Sequence, residues 1–109
     1  MANAKKEFLK LVENEVVLCA SISYQNSWDY ETPGSKHILS VAHTEEQYNV
    51  FVESLDFEYD DGYGGQELFG TVWFKNGTWA DRGEYDGSEW WQHHVCPAIP
   101  KALTSPLEK

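Results

Sequence analysis

Cationic side chains are scarce in this chain of 109 residues, where eight Lys and Arg stand against 18 Asp and Glu for a formal charge of -10. A phosphate backbone is gripped by Lys and Arg, which displace its counterions. Lys5, Lys6, Lys10, Lys36, Lys75, Arg82, Lys101 and Lys109 are too few and too outnumbered for that role. Direct contact with nucleic acid or an anionic membrane is therefore disfavoured, and a charged partner is expected to be a basic protein. Long apolar runs are also missing. The longest, Val16 to Ala20, has five residues, against the roughly 20 that a membrane-spanning helix needs. Lys5, Lys6 and Glu7 are not followed by an apolar stretch, so no secretory signal is expected and the expected location is the cytoplasm. Cysteine is limited to Cys19 and Cys96. One possible bridge is too few for a small secreted scaffold, so both are expected to be buried free thiols.

Catalytic signatures are likewise lacking. There is no Gly-x-Ser-x-Gly elbow, no Gly-Lys-Ser/Thr phosphate loop and no Gly-x-Gly-x-x-Gly, and these absences point to a non-enzymatic domain without a cofactor. His93, His94 and Cys96 include metal-ligand types, but adjacent histidines on a strand point to opposite faces and no zinc-site spacing accompanies them.

What the chain does have is aromatic bulk: 15% Phe, Trp and Tyr within 41% hydrophobic residues, enough to build one core from few side chains. The length suits a single domain over 1–109, with 97–109 a Pro-rich extended tail carrying Pro97, Pro100 and Pro106. Ala4, Phe8, Leu11 and Val12 fall on one helical face behind Asn3, predicting a first helix over Asn3 to Glu13. Val16 to Tyr24 alternates as a strand with Val16, Leu18, Ala20, Ile22 and Tyr24 on its apolar side, and His37 to His43 returns as its hairpin partner with Leu39 and Val41 in phase. Thr44 and Gln47 form a capping box, and the helix it opens carries Tyr48, Phe51, Val52 and Leu55 on one face.

Three further strands follow, separated by Asn76-Gly77 and Asp86-Gly87, both readable as two-residue type I′ turns. Two-residue turns would set Phe74 opposite Trp79, Trp73 opposite Ala80, Gly83 opposite Trp90 and Arg82 opposite Trp91. One face of this meander would then carry Leu68, Val72, Phe74, Trp79, Tyr85 and Trp90, and the other Phe69, Trp73, Arg82, Glu84, Trp91 and Val95. The order α-β-β-α-β-β-β predicts an α+β domain, a five-stranded antiparallel sheet with two helices packed on one face.

Two acidic segments adjoin the meander. In the first, Asp56, Glu58, Asp60 and Glu67 fall at positions 1, 3, 5 and 12 of an EF-hand loop. Asp61, however, stands where that loop needs glycine, and Glu67 leads into a strand. A solvated acidic loop is the expectation, with a calcium-binding or small hydrolytic site the alternative. In the second segment Glu84 and Glu89 should face each other across the turn beside Arg82, forming a surface charge cluster rather than a catalytic carboxylate pair. Aromatics beside charges mark a binding surface. The expected partner-binding set is Trp73 and Trp91 as anchors with Arg82, Glu84, Asp86 and Glu89 around them.

The stretch Phe69-Gly-Thr-Val-Trp-Phe-Lys-Asn-Gly-Thr-Trp79, with Arg82-Gly-Glu-Tyr-Asp-Gly-Ser-Glu-Trp-Trp91, resembles a segment of small uncharacterised proteins of bacteriophages and proteobacterial mobile elements. The resemblance brings no residue roles. It implies a phage-linked bacterial setting, where small acidic proteins include inhibitors that mimic nucleic acid toward a basic host protein.

Overall fold

Both helices start where their caps place them. In the computed structural model, which describes residues 1–27, 29, 31–62 and 64–96, the Asn3 side chain accepts from the Lys6 N–H and opens α1 (Ala4–Leu11). Thr44 and Gln47 close the reciprocal capping box of α2 (Glu45–Ser54). The N–H groups of a first turn have no partner within the helix, and these side chains supply one.

The principal sheet is antiparallel and runs β3-β2-β5-β6-β7, built from β2 (Val17–Tyr24), β3 (Ser35–Leu39), β5 (Leu68–Phe74), β6 (Trp79–Tyr85) and β7 (Ser88–His94). This is the predicted α+β architecture, a single domain with two helices and five strands in the expected order. A short ribbon was not visible in the sequence: β1 (Ala2–Asn3) pairs with β4 (Glu58–Tyr59) and ties the N-terminus to the segment after α2. Residues 97–109, the predicted tail, lie outside the described residues.

One core forms between the helices and one sheet face. Phe8 of α1 and Phe51, Val52 and Leu55 beside it meet Ala20, Ile22, Leu39, Leu68, Val72, Phe74 and Ala80. Three sequence expectations give way here. A register shift between Val17 and Cys19 turns Val17 inward and leaves Val16 63% exposed, reversing their predicted sides. Strand β3 ends at Leu39, so Val41 is exposed rather than in phase with it.

The third concerns register in the meander. The second turn is as predicted: Asp86 and Gly87 both take positive φ and bring Tyr85 opposite Ser88. In the first, only Gly77 has positive φ, Gly77 donates to the Phe74 carbonyl, and Trp73 faces Trp79 rather than Ala80. Asn76 uses its side-chain oxygen to accept from the Thr78 N–H and hydroxyl, which suits a longer loop ending in a left-handed glycine. A one-residue change of register exchanges faces. Trp79 and Trp90 therefore share a face with Phe69 and Trp73, whereas Arg82, Glu84 and Trp91 turn toward the helices.

Candidate binding face

The sheet face turned away from the helices carries aromatic side chains in two rows with a polar row between them. Cys19, Trp73, Trp79 and His94 are successive neighbours across four strands. Ser21, Thr71, Asp81 and Gln92 make the next row, with Ile38 beyond Ser21 at the β3 edge. Phe69, beside Ser23, and Trp90, beside Gly83, stand two residues further along. With strands spaced ~4.8 Å, four of them make a row ~14 Å long, and two residues of rise separate rows by ~7 Å.

Phe69, Trp73 and Trp90 remain 41%, 42% and 42% exposed. The Trp90 indole lies over Gly83, where a Cβ would meet its Nε1 at 2.7 Å, so glycine provides the seat for this ring. Trp79 stacks on His94 at 5.6 Å between centroids. His94 reaches Asp81 Oδ1 at 2.8 Å, and the Gln92 amide donates to the same oxygen at 3.0 Å. Desolvation acts to raise the Asp81 pKa, but the bonds from His94 and Gln92 outweigh it and hold the carboxyl below its usual range. A negative charge is thus fixed in the middle of the polar row. Cys19 is half-buried here, and burial pushes its thiol up.

The expected partner-binding residues divide between the two faces. Trp73 is on the open face, while Glu84 and Asp86 are exposed around the second turn. Trp91, Arg82 and Glu89 are displaced by the register change. Trp91 packs against the core, its ring 5.0 Å from the Arg82 guanidinium. The Arg82 and Glu89 side chains are 2% and 0% exposed and pair at 2.7 Å. The predicted surface charge cluster is thus a buried network. Arg82 also donates to the Tyr59 hydroxyl at 2.8 Å and the Leu68 carbonyl at 3.3 Å, while the Tyr59 hydroxyl donates to Glu7. Burial, then the bond to Glu7, pushes the Tyr59 phenol far above its usual pKa.

The acidic loop is built into the fold by the same chemistry. Glu89 accepts from the backbone N–H groups of Glu67 and Leu68 at 2.8 and 3.0 Å. Glu67, itself buried, accepts from the Ser27 N–H and hydroxyl at 2.8 and 2.7 Å and from the Asp60 N–H at 3.1 Å. Of the four EF-hand positions, Asp56 accepts from the Asn3 amide and Asp60 from the Gly62 N–H, while Glu58 is exposed in β4. Among the described residues no group of three or more His, Cys, Asp or Glu is disposed to hold a metal ion.

The histidines separate as adjacent strand residues must: His94 faces the open side, and His93 lies 5.3 Å from the Phe74 ring on the other. Cys96 is exposed, against the expectation of burial, because it follows the end of β7. Trp79 and Trp90, missed as site residues, had a signal in the sequence: their side depends on whether the Asn76-Gly77 loop has two residues or three. No helix among the described residues is long and apolar enough to cross a membrane. No protein-family model, curated protein or solved structure matches the chain.

Proposed function

We propose that this protein is a non-enzymatic binding domain that holds a basic protein on its open sheet face. The observation that carries the reading is the pair of aromatic rows left uncovered by the helices, with Trp73 and Trp90 each 42% exposed. Indole rings supply large rigid contact area at low entropic cost, and Trp is prominent among residues that dominate binding energy. The Asp81 carboxylate between the rows and the overall charge of -10 favour Lys and Arg on the partner, whose cationic heads also stack on indoles. A phage or mobile-element inhibitor that mimics nucleic acid is the specific form of this proposal in which Asp81 on the open face and Asp86 at its rim stand in for phosphates.

Affinity capture from a bacterial lysate at low and high salt tests it. The expected result is a basic protein retained at low salt, released at high salt, and lost with Trp73→Ala or Trp90→Ala. Retention unaffected by either substitution, or turnover of a substrate by the pure protein without any capture, would overturn the reading.

A further inference from the structure

Strand β3 is the outermost strand on its side of the sheet. It pairs with β2 along one edge, and no strand lies along the other among the described residues. In an antiparallel pair every second residue turns its N–H and C=O away from its neighbour, so this edge presents unpaired donors and acceptors. Helix α2 runs alongside and leaves a groove of about 520 Å³ between itself and the strand. Val50 and Phe51 form the helix wall. At one end, His37 Nδ1 lies 2.9 Å from the Ser54 hydroxyl and ties strand to helix. At the other, the His43 ring is held 2.6 Å from the Ser40 carbonyl, next to Glu46.

The apolar parts of this region are open. Val50, on the helix wall, is 65% exposed. Of the five residues of β3 only Lys36 is fully charged, little protection for an open edge. The helix beside it carries Glu45, Glu46 and Glu53 and no Lys or Arg, and Glu46 stands exposed where the groove reaches Leu39 and Ser40.

A strand edge facing a helix wall is the geometry at which an extended peptide joins a sheet, with main-chain bonds giving affinity and alternate side chains giving selectivity. We infer that this groove is a second binding site, which takes an extended segment of another protein as a sixth strand antiparallel to β3. The segment has apolar residues at alternate positions, facing Val50 and Phe51. Its N-terminal residue is Lys or Arg, because antiparallel addition brings that end beside Glu46. The site is separate from the aromatic face.

The test uses the full chain and an acetylated, amidated hexapeptide Lys-Ser-Val-Ser-Val-Ser, whose Lys and Val side chains share the face turned to the helix, followed by amide exchange and chemical-shift mapping. Its charge-reversed counterpart begins with Glu. The basic peptide is expected to slow exchange within Ser35–Leu39 and to shift Val50. The Glu peptide, and the basic peptide on Val50→Arg, are expected to bind about tenfold or more weakly. Val50 is mostly exposed, so this variant leaves the core intact. Equal binding of the two peptides, no slowing in Ser35–Leu39, or shifts centred on Trp73 and Trp90 would overturn the inference. So would a concentration-dependent dimer of the chain that occupies this edge and is lost in Val50→Arg.

Discussion

Arg82 is where the side-chain chemistry of the interior converges. Its guanidinium pairs with Glu89, donates to Tyr59 and Leu68 and lies under the Trp91 ring. Removing one member of a buried pair leaves the other charge without compensation, at a cost of about 3–5 kcal/mol. Arg82→Ala is therefore expected to lower the urea midpoint severely, and Glu89→Leu, which also takes the acceptor from the Glu67 and Leu68 N–H groups, to lower it at least as far; equilibrium unfolding compares them. Tyr59 makes a prediction about alkaline stability. An unfolded tyrosine ionises near pH 10, whereas the native Tyr59 phenol is held in its neutral form by burial and by Glu7. Below about pH 10 native and unfolded Tyr59 bind the same proton and the stabilisation is complete; above it the unfolded state loses the proton first, so stability falls as pH rises. Urea midpoints across this range should show that decline in the native chain and less of it in Tyr59→Phe, which starts from a lower value at neutral pH.

Within the strands, the two faces assign opposite consequences to neighbouring tryptophans. Trp73→Ala should leave the unfolding midpoint nearly unchanged and cost about 2 kcal/mol or more in partner binding, mostly through faster dissociation. Trp91→Ala should do the reverse, because its ring packs against the core and Arg82. Thermal unfolding together with binding kinetics of both variants separates the two roles. Much of the secondary structure was legible, since the Thr44–Gln47 box and the Tyr48, Phe51, Val52 and Leu55 face state their helix directly. The facing of the last two strands was not. Asn76-Gly77 satisfies the chemistry of a two-residue type I′ turn and of a longer loop ending at Gly77, and the choice lies in whether Asn76 takes a positive φ or bonds Thr78 with its side chain. That one torsional alternative moved Trp79 and Trp90 onto the open face and took Trp91, Arg82 and Glu89 off it. Glu67 and Glu89 were illegible for a related reason: as carboxylates they looked solvated, and only tertiary structure shows the backbone N–H groups that they satisfy.

Taken as one object, the molecule joins an acidic exterior to an aromatic sheet face, and these two properties act on different steps of association. Charge accelerates encounter over a distance set by salt, with a Debye length of about 8 Å at physiological ionic strength and about 3 Å at 1 M. Association with a basic partner should slow steeply as salt rises, and Glu84→Lys with Asp86→Lys should flatten that dependence while leaving dissociation nearly unchanged. Stopped-flow measurements across a salt series check both. A different consequence follows from Glu89, which sits in the last strand yet satisfies the N–H groups of Glu67 and Leu68 where β5 begins. Strand β5 is the middle strand of the sheet. The centre is therefore completed from the periphery, by a residue synthesised after it. A nascent chain that has emerged only through residue 87 has Arg82 without its carboxylate and β5 without its terminal acceptors, and Ile22 and Val72 await a finished sheet. Until residue 89 is added, Arg82 and the N–H groups at the start of β5 lack the partner that the finished fold gives them.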